Sequence, residues 1–84
     1  MEEPTLRQLR YLVALAEHLH FGDAAADCGV SQPNLSAQIR ELERSIDTQL
    51  VERTSRSVML TAAGAEIVAS ARRIIRDVDD LLDH

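Results

Sequence analysis

Several residue types that mark particular protein classes are scarce in this chain. One of its 84 residues is cysteine, which excludes an internal disulfide and a paired-cysteine metal site. Aromatic residues make up 2%, so the core must be aliphatic, which suits packed helices better than a β-sandwich. No apolar run approaches the roughly 20 residues of a membrane span, and no secretion signal precedes the first helix. We therefore expect a cytoplasmic chain with no membrane partner.

Lysine is absent as well, so every basic side chain is an arginine, and the net charge is −5. Taken alone, this acidic balance argues against a nucleic-acid partner. The charge is uneven, however, because arginines and acids cancel between residues 31 and 60 and the flanking thirds are acidic. Arginine can bind a phosphate or a guanine edge through two parallel hydrogen bonds, but a GC-rich coding bias explains its exclusive use equally well.

What is present is a 45% apolar content, enough for one small folded domain. Apolar spacing predicts a helix from Leu6 to His18, begun by Thr5 and Gln8 as a capping box. A short helix follows over 21–28, opened by Gly22-Asp23 and ended by Gly29 in a left-handed cap.

The third predicted helix begins at Ser31 as N-cap with Pro33 in its first turn. Its apolar residues recur at spacings of four and three, forming one stripe: Leu35, Ile39, Leu42 and Ile46. The opposite face is polar. Its first two turns carry amides and small residues in place of long acids.

Two β-prone runs, 50–53 and 58–61, flank a turn at 54–57 and predict a hairpin over residues 50–61, here called the wing. A lone hairpin is marginal in water, so we expect Leu50, Val58 and Leu60 to lean on the helices and Met59 to lie in the core.

The last predicted helix runs from Ala62 to the end, about 23 residues, with Thr61 as its N-cap. Its apolar stripe comprises Ile67, Ala71, Ile74, Val78 and Leu81. Such a helix is too long and too apolar to bury itself against so small a domain, which favours a partner helix from a second copy.

A helix, a tight turn and a second helix opened by Ser-Gln-Pro form a helix-turn-helix, whose second helix faces base edges in the major groove. The residue types suit such contacts, since Gln32, Asn34 and Gln38 can hydrogen-bond bases, Ser36 is short and Pro33 can meet a thymine methyl. Arg53 and Arg56 of the wing would contact phosphate or the minor groove.

The combined motif resembles the N-terminal domain of LysR-type transcriptional regulators, from about residue 6 to 82. The resemblance is carried by Phe21, Ala24-Ala25, Val30 to Pro33, Leu35-Ser36, Gln38 to Arg40, Leu42-Glu43, Leu50, Glu52 to Thr54, Leu60-Thr61 and Ala63-Gly64. Within that family it is strongest to the hydrogen-peroxide-responsive members. Asp47-Thr48 replaces the usual Gly-Val, and aspartate tolerates the left-handed conformation needed there.

The resemblance implies a mainly α winged helix-turn-helix of three helices and a two-stranded β wing over 1–61, followed by a linker helix over 62–84. In the family this helix pairs with a second copy, so that a homodimer meets an interrupted palindrome in double-stranded DNA, and the full-length protein forms a tetramer. The resemblance adds Ser31 and Arg40 to the DNA-contacting set. It places peroxide sensing in a C-terminal effector-binding domain outside this sequence, and it implies no cofactor.

Blander interpretations stay open for several residues. The alternative for Arg53 is an ion pair with Glu52 or Glu43, and for Arg40 one with a helix neighbour, but surface pairs are worth little and we favour DNA contact for both. Cys28 suits core packing better than redox chemistry, and His18, His20 and Cys28 match no metal spacing. A winged helix whose acidic surface docks another protein is the alternative function. An enzyme is disfavoured, because no nucleophile–base pair or phosphate loop is present.

Overall fold

Four helices and one antiparallel pair of strands make up the computed structural model, which describes residues 3–54 and 57–84. The elements are α1 (Leu6–His18), α2 (Phe21–Cys28), α3 (Gln32–Ser45), β1 (Val51–Arg53), β2 (Val58–Leu60) and α4 (Ala62–Leu82). The predicted fold class is confirmed. Here α3 is the recognition helix, β1 and β2 form the wing, and α4 is the linker helix. Arg56 lies outside the described residues.

Local hydrogen bonds set the helix boundaries largely as predicted. The Thr5 hydroxyl accepts from the Gln8 backbone N–H at 3.1 Å, and Gln8 Oε1 accepts from the Thr5 N–H at 3.0 Å, which completes the capping box. One prediction was wrong, because α2 is opened by His20 instead of Gly22-Asp23. The His20 ring Nδ1 accepts from the Asp23 N–H at 3.0 Å, a role that the usual preference for serine, threonine, asparagine and aspartate does not suggest.

The two turns around α3 are also as expected. Gly29 is left-handed with a φ of 69°, and its N–H donates to the carbonyls of Ala25 and Ala26. Asp47 has a φ of 51°, so aspartate does adopt the left-handed conformation after α3. Leu19 takes the same conformation at the end of α1, with a φ of 50°. The turn between α2 and α3 therefore uses Gly29, whereas the left-handed residues after α1 and α3 are not glycines.

The core is aliphatic and α1 passes through its centre, in contact with the other three helices. The largest fully buried side chains come from α1, from α3 and from the residue before β1: Leu12, Leu15, Leu35, Ile39, Leu42 and Leu50. Each fully buried leucine or isoleucine contributes about 1.5–3 kcal/mol relative to an exposed one. The stripe predicted for the recognition helix is therefore what fastens α3 to the domain.

The wing is attached to α3 by a carboxylate. Glu43 Oε2 accepts from the backbone N–H groups of Leu50 and Val51 at 2.8 and 3.2 Å. The strands pair with Val51 opposite Leu60 and Arg53 opposite Val58. Met59 is 58% exposed, so its predicted place in the core was wrong. Strand side chains alternate between faces, and Val58 and Leu60 occupy the face that meets the helices.

The linker helix α4 lies against α1 and continues beyond it. Val68 and Ala71 are buried between the helices, and two exposed ion pairs tie them together, Arg10 to Asp79 at 3.1 Å and Arg72 to Glu17 at 3.3 Å. Leu81 and Leu82 at the far end remain more than 70% exposed. None of the helices described is long and apolar enough to cross a bilayer.

Candidate nucleic-acid interface

The N-terminus of α3 is an exposed helix end. Ser31 caps it by accepting from the Asn34 backbone N–H at 3.2 Å, and Ser31, Gln32, Pro33 and Asn34 are all exposed. Pro33 occupies the first turn, where a missing N–H costs nothing. The aligned peptide dipoles make this end favourable for an anion such as phosphate. The first turn therefore presents hydrogen-bonding side chains without a carboxylate among them.

One turn further along α3, Ser36 and Gln38 are half-buried, and each is held by a different element. Arg53 Nη1 of β1 donates to the Ser36 hydroxyl oxygen at 3.3 Å. Gln8 Nε2 of α1 donates to Gln38 Oε1 at 3.2 Å. These two side chains are thus oriented by the wing and by α1 before any ligand arrives.

Arg53 is the most constrained arginine of this surface. Its guanidinium carbon lies 4.8 Å from the centre of the Phe21 ring, a cation–π arrangement. Its Nη2 is buried and has no hydrogen-bond partner within 3–54 and 57–84. Burial lowers the pKa of Arg53 from its ordinary value, the positive charge of Arg40 lowers it further, and Glu43 opposes the shift. The guanidinium remains charged at neutral pH because the ordinary arginine pKa is so high.

Arg40 is exposed and lies with Arg53, Glu43, Gln49 and Val51 around an open polar cleft of about 320 Å³. In the part of the chain that the structure describes, neither arginine forms an ion pair. The carboxylate of Glu43 is occupied by two wing N–H groups, and Glu41 pairs with Arg44. Two neighbouring positive charges therefore face one cleft without a salt-bridge partner.

The structure separates the predicted dimerisation stripe of α4 into two parts. Ala71 is fully buried in the chain's own core, and Ile67 and Val78 are half-buried. Ile74 and Leu81 are exposed by 46% and 73%. Ile74 also borders an apolar groove of about 170 Å³ lined by Pro4, Leu9, Leu42, Ile46, Ile67, Ser70 and Ala71. This groove shares no lining residue with the arginine cleft.

The histidines and the cysteine have local structural roles. His18 Nε2 lies 3.0 Å from Asp27 Oδ2, and His20 caps α2. Cys28 is half-buried, and burial, followed by the charge of Asp27, raises the pKa of its thiol. The thiol therefore holds its proton more tightly than a free cysteine does, the reverse of an activated nucleophile.

Three residues support this surface in ways that the sequence does not indicate. The sequence suggests Gln8 only as a cap and Phe21 only as part of the family motif. It suggests Glu43 as part of that motif and as a salt-bridge partner. Gln8 and Gln38 lie 30 residues apart in the sequence, and Arg53 and Ser36 lie 17 apart. Spacing along the chain carries no signal for such contacts, because they depend on how the helices cross.

Comparison with known proteins agrees with this geometry. The family model described as "Bacterial regulatory helix-turn-helix protein, lysR family" matches residues 6–65. The uncharacterized HTH-type transcriptional regulator YnfL of Escherichia coli K12 is 57% identical over 75 residues, 89% of this chain and 25% of that protein. The DNA-binding transcriptional dual regulator OxyR of the same strain is 56% identical over 73 residues, 87% of this chain and 24% of that protein.

A solved structure, the BenM DNA-binding domain on catB site 1 DNA, superposes with a TM-score of 0.90 at 39% identity. It covers 94% of this chain and 89% of that one. The chain spans about a quarter of the length of the curated relatives that it matches.

Proposed function

Because the chain belongs to the lysR family of bacterial regulatory helix-turn-helix proteins, we propose that it binds double-stranded DNA sequence-specifically and as a homodimer. Membership in this family of transcriptional regulators confirms the expectation that it is not an enzyme. The relatives are bacterial regulators, so its place of action is the cytoplasm, where the chromosome lies.

The observation that carries the proposal is the pair of arginines beside an uncharged helix end. Arg40 and Arg53 repel each other across a cleft, and an anion there relieves that repulsion. The neighbouring first turn of α3 has exposed amides and no acid. When the cleft binds a phosphate of the DNA backbone, this turn points into the major groove, toward the base edges. A helix-turn-helix docks on DNA in this way.

We assign the DNA-contacting residues accordingly. Gln32, Pro33 and Asn34 meet base edges, Arg40 and Arg53 meet phosphate, and Ser31, Ser36 and Gln38 complete the surface on α3. Arg56 belongs to the wing and is assigned to DNA from the sequence alone, since it lies outside the described residues. The buried Nη2 of Arg53 implies that the guanidinium shifts on Phe21 when it meets phosphate, and the unmet N–H then gains an acceptor.

Dimerisation is proposed for the linker helix, residues 62–84, with 1–61 as the DNA-binding winged helix-turn-helix. Ile74, Val78 and Leu81 form the part of the stripe that the chain itself leaves accessible, and Ile67 is half-buried against the core. Ala71 supports the helix from inside. The two winged helix-turn-helix units of a dimer would contact the two halves of an interrupted palindrome in a promoter, about one or two helical turns apart.

The OxyR-like similarity supports a place in the oxidative stress response, with sensing by a C-terminal effector-binding domain that is not part of these 84 residues. A tetramer of the full-length protein follows from the same family. These are proposals about the whole regulator, to which this chain contributes DNA binding and pairing.

The test is selection from a library of random duplexes, followed by fluorescence anisotropy on the enriched duplex and on its scrambled version across a salt series. We expect two-fold related half-sites and an affinity that falls steeply with salt, because DNA binding releases counterions. Arg53→Ala should weaken binding to both duplexes alike and lower the salt slope by about 0.9, the value for one phosphate contact.

Arg73→Ala is the matched control, because Arg73 is exposed on α4 and hydrogen-bonds only to Ser70 among the described residues. It should leave the affinity and the salt slope within about twofold of the parent values. A folded chain that enriches no duplex and binds none at low salt would overturn the proposal and favour a protein-docking winged helix instead.

A further inference from the structure

Three hydrogen bonds made by Gln8 connect the start of α1 with the middle of the recognition helix α3. The backbone N–H of Thr5 donates to Gln8 Oε1 at 3.0 Å, and Gln8 Nε2 donates to Gln38 Oε1 at 3.2 Å. The Thr5 hydroxyl accepts from the Gln8 backbone N–H at 3.1 Å and locks the Gln8 residue at its cap position. Gln8 itself is 8% exposed, and it is the buried polar residue of the described chain.

The direction of each of these bonds is determined. A backbone N–H can only donate, so the atom of Gln8 that faces Thr5 must be the carbonyl oxygen. The amide nitrogen of Gln8 then faces Gln38, and nitrogen can only donate, so Gln38 must turn its own oxygen inward. A flipped Gln38 would place two NH₂ groups against each other and leave buried donors without acceptors.

Gln38 is consequently left with a donor on its accessible side. The Gln38 side chain is half-buried. Within the described part of the chain its Nε2 has no hydrogen-bond partner and is not fully buried, so it stays accessible to solvent. An unrestrained glutamine can donate and accept at once and so binds adenine in a bidentate manner. With its oxygen turned inward toward Gln8, Gln38 presents its N–H groups on the accessible side.

We propose that Gln8 is a positioning residue for specificity, which makes Gln38 meet DNA as a hydrogen-bond donor only. The inference rests on the proposed function and deepens it. The groups that Gln38 then selects are acceptors, either on a base edge in the major groove, where guanine offers two in O6 and N7, or on a phosphate. Gln8 acts without touching DNA, because it lies between the two helices and behind the α3 surface.

The decisive variant is Gln8→Glu, which reverses the polarity while preserving the cap. Glutamate at this position accepts from the Thr5 N–H as glutamine does, since both residues are usual at the N3 position of a capping box. Its second oxygen can only accept, so Gln38 must donate its NH₂ inward and present its oxygen to DNA. The probe is the duplex enriched by selection with the parent chain, together with three versions of it for each base pair of a half-site.

With a base-edge contact, the parent should prefer guanine, which offers two acceptors, at one base pair. Gln8→Glu should shift that preference about tenfold toward cytosine or adenine, whose N4 and N6 amino groups donate in the same groove. With a phosphate contact, Gln8→Glu should instead weaken binding about tenfold on all versions alike. A base-preference profile and affinity that both stay within twofold of the parent would overturn the inference.

The added negative charge is controlled by repeating the substitution in a Gln38→Ala background. There Gln8→Glu retains its charge effect and has no amide to turn, so any loss beyond that background belongs to Gln38. Equal losses in both backgrounds would overturn the inference. Gln8→Met serves if the glutamate variant does not fold. It removes both hydrogen bonds at similar volume, frees Gln38 to bind adenine, and should broaden the preference at that same base pair.

Failure of the inference is distinguishable from failure of the proposed function. If the parent chain enriches no duplex, DNA binding itself is refuted. If the parent binds a selected duplex and the Gln8 variants reproduce its profile, DNA binding stands and the role of Gln8 falls.

Discussion

Gly64, in the first turn of α4, lies where the linker helix passes closest to the base of the wing. A Cβ atom added there would stand 2.0 Å from the backbone oxygen of Leu50 and 3.0 Å from its carbonyl carbon. That oxygen is not free to move away, because it accepts the Thr61 N–H at 3.0 Å. The neighbouring Gln49 carbonyl accepts from the Thr61 hydroxyl at 2.7 Å, and Glu43 holds the Leu50 N–H.

The cost of Gly64→Ala follows from these contacts. Ordinary contact begins at 3.4 Å, so helix and wing must separate by about 1.4 Å. Overpacking of a close contact costs about 1–3 kcal/mol, and loss of the Thr61–Leu50 hydrogen bond adds about 1 kcal/mol. Alanine returns about 1 kcal/mol through its higher helix propensity. We expect a net loss of about 1–3 kcal/mol in the free energy of unfolding.

The assay is thermal unfolding followed by circular dichroism at one protein concentration. For a domain of this size, a loss of that magnitude lowers Tm by roughly 4–24 °C. Gly22→Ala is the matched control, since it is also a helical glycine and its added Cβ meets side-chain atoms in place of backbone, the His20 ring at 3.0 Å and Gln32 Oε1 at 3.7 Å. The control should shift stability by less than about 1 kcal/mol in either direction. An alanine at position 64 that melts within about 2 °C of the parent would refute the close-approach argument.

Two further predictions concern pairing and the thiol. Ile74→Asp places a charge on the accessible stripe of α4. It should yield monomers in sedimentation velocity and abolish cooperative binding to paired half-sites. A parent chain that is monomeric at high concentration would contradict the proposed interface. Because the pKa of Cys28 lies above its ordinary value, its alkylation by iodoacetamide should be slower than that of glutathione between pH 7 and 8 and should rise about tenfold per pH unit, as the thiolate does below its pKa. A rate equal to or above that of glutathione would show that burial and Asp27 do not hold the proton.

Helix boundaries were the most predictable feature, because the signals that set them are local. Thr5 with Gln8, Ser31 with the backbone N–H three residues later, and Gly29 with its left-handed φ all act within one turn of chain. The same locality explains why Asp47 was correctly expected to take the left-handed turn. His20 was missed because its imidazole replaces the usual hydroxyl or carboxylate cap.

Amphipathic spacing correctly indicated which side of α3 is buried, but spacing does not say what covers a face. On the linker helix, one stripe is shared between the chain's own core at Ala71 and an accessible region at Ile74 and Leu81. Met59 shows the same limit in a strand. Its hydrophobicity predicted burial, and the register of the wing turned it outward.

The candidate DNA surface divides in a similar way. The amides, serines and arginines of the helix-turn-helix and its wing are evident in the order of residues, because capping, turn chemistry and the family motif are written in contiguous stretches. Which of their atoms remain available is decided by contacts between segments far apart in the chain. Gln8 takes the oxygen of Gln38, and Arg53 is pinned between Phe21 and Ser36. Local preference therefore determined the elements and their chemistry, whereas the crossing of the helices and the docking of the wing decided orientation, burial and hydrogen-bond polarity.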